Sequence, residues 1–158
     1  MKNSQGLVRC GLDIQSRLAT QAVPLTPTLL KPEVLAARSG MLDYDPATGI
    51  ITGVRRAVYS TILQFNVAVT GNTNFRFYAE IDAGAGFQIN RFSARHTNVG
   101  NASQGQIVLG SSNDFIDGLR FRFFFWASGA SNLISQDLAG TTPGTVTVPA
   151  IRILIAGA

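Results

Sequence analysis

The sequence predicts an all-β fold, a sandwich of short strands, and three observations predict it. After residue 48, apolar and polar residues alternate over run after run, and that period of two gives a strand one face for a core. Clusters such as Gly71-Asn72-Thr73-Asn74 and Ala83-Gly84-Ala85-Gly86 punctuate the runs and read as turns. Helical spacing of apolar residues is absent from this part of the chain.

Residues 1–48 are read as an extended N-terminal arm. They hold four of the six prolines (Pro24, Pro27, Pro32 and Pro46) and none of the ten phenylalanines. Each proline fixes its own φ and turns the preceding residue away from helix, so V-P-L-T-P-T-L-L-K-P, from Val23 to Pro32, is extended. Short helices are expected over 11–20 and 32–38. Val23, Leu25, Leu29, Leu30, Val34 and Leu35 are too many apolar residues for a solvated tail. They are the expected anchoring residues, lying along a surface of this chain or of a partner.

The sandwich domain is placed at 49–158, with about eight strands. Those expected are 49–54, 59–70, 75–82, 87–95, 106–109, 119–126, 145–148 and 151–155. Polar loops are expected at 97–103, 110–114 and 128–132. Such spacing suits a sandwich or jelly roll. The last strand alternates Ile151, Ile153 and Ile155 against Arg152, Leu154 and Ala156. So apolar a strand belongs inside its sheet, not at an edge.

Leu119 to Trp126 reads L-R-F-R-F-F-F-W. Leu119, Phe121, Phe123 and Phe125 share the core face. Arg120, Arg122, Phe124 and Trp126 share the other, which begins charged and ends aromatic. A monomer has little reason to expose such a face, so a second layer or another copy is expected to cover it. Phe124, Trp126, Tyr78, Arg120, Arg122, Arg152 and Leu154 are accordingly the expected oligomer interface.

Composition points the same way. Charged residues are 14% of the 158, and hydrophobic residues 46%. Few charges suit surfaces that become buried, because burying a charge is costly. The net charge is +4, and of thirteen basic residues only Lys2 and Lys31 are lysines. Arginine suits interfaces. The longest basic run is Arg55-Arg56, not the concentrated charge of a nucleic-acid groove, and no specific nucleic-acid partner is expected. No window approaches the roughly 18 apolar residues of a membrane span. The first eleven residues lack the apolar stretch of a secretory signal, so synthesis in a cytoplasm is expected.

No catalytic, cofactor or metal residue is assigned. His96 is the only histidine and Cys10 the only cysteine, and no serine stands in a G-x-S-x-G setting. Glu80 and Asp82 share one strand face; they read as a glycosidase pair or as partners of arginines across the sheet. Asn113, Asp114 and Asp117 read as turn formers or as oxygen ligands for a cation.

The long strand from Tyr59 to Thr70, the hairpin through Phe75 to Asp82, the aromatic strand Leu119 to Trp126 and the apolar last strand together resemble the jelly-roll modules of the tumour-necrosis-factor and C1q type. Similar modules occur in bacteriophage head fibres, capsid decoration proteins and tail-fibre tips. The resemblance implies a homotrimer with aromatic faces meeting near a threefold axis. It further implies a structural virion protein, assembled in the host cytoplasm and attached by its arm to capsid or tail subunits. The other role it implies is a receptor-binding module whose loops touch a host glycan.

Overall fold

The computed structural model describes residues 10–16, 20–39, 42–53, 57–100, 104–115, 119–137 and 147–157. Every regular element among them is a strand. The first part of the chain supplies β1 (Cys10–Ser16), β2 (Thr20–Ala22), β3 (Thr28–Leu29), β4 (Val34–Ser39), β5 (Leu42–Asp45) and β6 (Ile50–Gly53). The long strands follow: β7 (Ala57–Val69), β8 (Thr73–Asp82), β9 (Gln88–Val99), β10 (Gln104–Phe115) and β11 (Arg120–Ala127). The chain ends with β12 (Ser131–Ile134), β13 (Gln136–Asp137), β14 (Thr147–Val148) and β15 (Ile151–Gly157).

These strands form two sheets and a small β13–β14 ribbon. The larger sheet has seven strands in the order β2-β12-β7-β15-β1-β4, with β10 also paired to β7. The smaller has six, ordered β5-β6-β11-β8-β9, with β3 added beside β11. All strand pairs are antiparallel. The last strand lies between β7 and β1, the interior place its isoleucines demand.

Side chains from both sheets fill the space between them. Leu63, Phe65 and Val67 of β7 meet Phe121, Phe123 and Phe125 of β11 in one buried cluster. Phe65 and Phe125 bridge the layers with ring centroids 4.2 Å apart and planes 3° from parallel. Thr61 shares the inward face, and its buried hydroxyl has no hydrogen-bond partner among the described residues. Replacing it by valine keeps the shape and removes an unsatisfied polar group, so Thr61→Val should raise stability by about 1 kcal/mol in a urea titration.

The segment expected as an arm is, over its described residues, woven into both sheets. Among the described residues of 11–20 and 32–38 no helix forms. Cys10–Ser16 instead pairs with β15 on one side and Val34–Ser39 on the other. Leu12 and Ile14 are buried, so the period of two was present in C-G-L-D-I-Q-S all along. Between β2 and β3 the chain crosses from the larger sheet to the smaller. Val23 donates its amide to the Ser131 carbonyl at 2.9 Å, Ala127 donates to the Pro24 carbonyl at 2.9 Å, and Leu30 donates to the Phe123 carbonyl at 2.8 Å. Of the expected anchoring residues, Val23 and Leu30 are core, Leu29 and Val34 are half-buried, and Leu25 and Leu35 are exposed.

All three expected loops contain strand: β12 starts at Ser131, inside 128–132, and 110–114 is strand throughout. β9 continues to Val99, and residues 110–114 stay paired to β7 through Phe115. One turn depends on glycine: Gly49 has φ +68°, and a Cβ there would sit 2.7 Å from the Leu30 carbonyl oxygen. The Asp45 carboxylate shapes that turn by accepting from the Ala47 amide at 2.9 Å and the Thr48 hydroxyl at 2.6 Å.

Candidate functional site: two outer sheet faces

The seven expected interface residues do not form one patch. Arg120, Arg122, Phe124 and Trp126 of β11 and Tyr78 of β8 lie on the outer face of the smaller sheet. Arg152 and Leu154 of β15 lie on the outer face of the larger one. The core separates the two groups. Sequence alternation fixes which residues of a strand share a face, but it does not say which sheet two distant strands join.

On the smaller sheet the residues form a ladder. Tyr78 and Phe124 are cross-strand partners with rings stacked 4.9 Å apart, and Trp126 meets Tyr78 edge-on at 5.6 Å. The Arg122 guanidinium lies 5.4 Å from the Phe124 ring centre and 4.0 Å from that of Phe87. Leu29 pairs with Phe124 from the other side. This outer flank of β11 is thus half-covered by its own chain. Burial of Tyr78, and secondly Glu80 beside it, raises its phenol pKa, with Arg122 opposing.

Glu80 and Asp82 behave as arginine partners across the sheet. Arg122 donates through Nε to Glu80 at 2.8 Å, and Arg120 pairs with Asp82. Asp82 is buried and also caps the β8–β9 turn, accepting from the Gly84 amide at 2.7 Å and the Gly86 amide at 2.9 Å. The Gly84 hydrogen bond leads in holding its carboxyl below the ordinary carboxylate range, helped by Arg120 and Gly86 and opposed by burial. A lowered folded pKa stabilises above the unfolded value and is lost as pH falls through the folded one. Stability should therefore drop below about pH 4, and Asp82→Asn should flatten that part of a denaturation profile while lowering stability at neutral pH.

The outer face of the larger sheet is chemically different. Arg152 grips Asp13 with both arms, Nε to Oδ1 at 3.1 Å and the terminal nitrogen to Oδ2 at 2.7 Å. The Asp13 hydrogen bond raises the Arg152 pKa, so the guanidinium stays charged against the carboxylate it grips. Beside it run Gln64, Asn66 and Gln106, uncharged amides. Among them Ile62 is 43% exposed and Val108 is 58% exposed. Leu154 is the cross-strand partner of Ile62, and Gly110 lies on the other side of it with open space above. Sequence reasoning missed Ile62 and Val108. The available signal was an aliphatic residue out of phase within an alternating strand.

His96 is an exposed residue of β9 opposite Arg76. Among the described residues no group of three His, Cys, Asp or Glu side chains is placed to hold a metal ion. Arg55, Arg56 and Asp117 lie outside the described residues, as do the side chains of Cys10, Asn113 and Asp114. Of the loops expected to touch a glycan, 101–103 is likewise outside. Ser128–Ala130 does form a loop.

No protein-family model matches the chain, and no curated protein matches it in sequence. Solved structures do match in fold. The globular domain of zebrafish complement 1qA protein is 11% identical with a TM-score of 0.54, covering 94% of this chain and 95% of that one. Eiger TNF from S. frugiperda is 7% identical with a TM-score of 0.61, covering 95% and 90%. Murine APRIL is 8% identical with a TM-score of 0.57, covering 95% and 99%. The chain is therefore an all-β, jelly-roll-like sandwich with the fold of tumour-necrosis-factor and C1q domains.

Proposed function

We propose that this chain is a structural assembly module, a homotrimer that joins copies through the outer face of its larger sheet and serves as a minor or decorating component of a bacteriophage particle. One observation carries the self-association: Ile62 and Val108 stand exposed on a face whose only ion pair among described residues, Asp13 with Arg152, is already neutralised. Such a face loses little on desolvation and gains from apolar burial. The tumour-necrosis-factor and C1q likeness supports the threefold order. In this reading Arg152 and Leu154 belong to the contact. Phe124, Trp126, Tyr78, Arg120 and Arg122 point away from it.

The particle role rests on the resemblance drawn from the sequence and on the low charge of the chain. Attachment to capsid or tail subunits then falls to Leu25 and Leu35, the exposed members of the proline-rich segment. Removing residues 1–48 is no test, because it removes five strands of the sandwich. An antibody raised against the purified protein should instead label phage particles at regular positions in electron micrographs. Particles that contain the protein's gene but never take label would overturn the role.

A second reading, recognition of a host surface glycan, is favoured by the aromatic and arginine ladder of the smaller sheet. Binding and decoration are compatible, since the two faces are opposite.

A further inference from the structure

We propose that the outer face of the smaller sheet is a binding site for carboxylate-bearing sugars, uronic or sialic acid residues of a surface polysaccharide, built on Trp126, Tyr78, Arg76 and His96. The proposal deepens the glycan reading above and names its ligand class and its place. That place is the sheet face, not the loops.

Register assembles the site. Trp126 pairs with Arg76, and Arg76 pairs with His96, so an indole, a guanidinium and an imidazole form one row across three strands. The next row holds Phe124 and Tyr78. The row on the other side holds Asn74 and Asn98, joined by a side-chain hydrogen bond of 3.0 Å, with Ser128 accepting from the Asn74 amide at 3.0 Å. Flat aromatic surface, a cation and a row of amides thus lie side by side. Rows two residues apart are roughly 7 Å apart along a strand, which leaves room for a short oligosaccharide.

Charge decides which sugars fit. On β8 the face carries two carboxylates, each with its own arginine, Glu80 with Arg122 and Asp82 with Arg120, while at the β5 edge Asp43 pairs with Arg38 and Asp45 accepts from its own turn. Arg76 is exposed and has no carboxylate partner among the described residues. Among the described residues no side chain accepts from its guanidinium, and a carboxylate is the acceptor it fits best, two-pronged and planar. The neighbouring indole offers an apolar face for the C–H side of a sugar ring. Among the described residues the one ring contact of Trp126 is the edge contact with Tyr78. Tyr78, whose proton is held more firmly than usual, remains a hydroxyl donor. An acidic peptide would use the charge and leave the indole and amides idle.

The backbone at this spot is irregular in a way that suits a site. The register of β8 with β9 jumps from Phe77–Arg95 to Ala79–Asn90, so residues 91–94 bulge opposite Tyr78 alone. Bulges of this kind recur beside binding sites, where they re-aim side chains. The face also stays open in the proposed assembly, which uses the opposite sheet.

The test is calorimetric titration of the intact protein with a short oligogalacturonate and, separately, with polysialic acid, each alongside its methyl ester, with polyglutamate as the peptide comparison. At least one acidic sugar should bind saturably, and its ester at least about tenfold more weakly. Arg76→Gln, an exposed change that should leave melting unaltered, should weaken binding about tenfold. Trp126→Ala should do the same. No binding of either acidic sugar overturns the site. So does equal affinity for the ester or for polyglutamate, or affinity untouched by Arg76→Gln. Particle mass measured on the same samples reports on assembly alone, so failure of one reading leaves the other legible.

Discussion

Phe125→Ala should cost about 3–5 kcal/mol of folding free energy, the largest single loss we expect from one side chain. Phe125 is 1% exposed. Phe65 from the opposite sheet stacks against it at 4.2 Å, and Phe75 from the neighbouring strand lies parallel at 5.7 Å. Truncation therefore opens a cavity where both layers and two strands meet, and it forfeits the ring contacts as well as the transfer energy. A domain with a total stability of about 5–15 kcal/mol would be left marginal or unfolded. Urea denaturation followed by circular dichroism measures this. Phe124→Ala, one residue along on the half-covered outer face, should cost clearly less. Equal losses at the two positions would mean that the inner and outer faces of β11 are not what the register says.

Val108→Asp should break the assembly without disturbing the chain. Val108 is exposed in the single chain, so an aspartate there meets water in the monomer and costs the fold little. In the proposed contact it would be an unpaired buried charge, weakening association by at least about 3 kcal/mol, or a hundredfold. Leu154→Arg should act in the same direction from β15, on the other side of β7. The paired control is Trp126→Ala on the opposite sheet, which should leave the mass unchanged. If Trp126→Ala dissolves the assembly and Val108→Asp does not, copies meet through the smaller sheet.

Much of this was legible in the sequence, for a reason specific to strands. The F-R-F-F-F-W run announces its two faces because the period of two survives even where both faces are apolar. The buried positions Phe121, Phe123 and Phe125 follow from it directly. The interior position of the last strand was legible too, from three isoleucines on one side with no polar relief. The N-terminal segment was harder. Its prolines dominate local reasoning, and the short alternation Leu12, Asp13, Ile14, Gln15 is too brief to outweigh them. Its pairing partner, moreover, lies at the far end of the chain. The candidate interface was misassembled for a similar reason. Arg152 and Leu154 look like Arg122 and Phe124 in pattern, and only the pairing of β15 with β7 puts them on the other sheet. The arginine partners of Glu80 and Asp82 were within reach, because like-spaced acids and arginines on two alternating strands need only a register to meet.

Sedimentation equilibrium of the purified wild-type protein at low micromolar concentration decides whether copies assemble in threes. Assembly through the larger sheet gives a single species of about three times the 16.8 kDa chain mass, reduced to the chain mass by Val108→Asp. A stable species at the single-chain mass across that concentration range would contradict it.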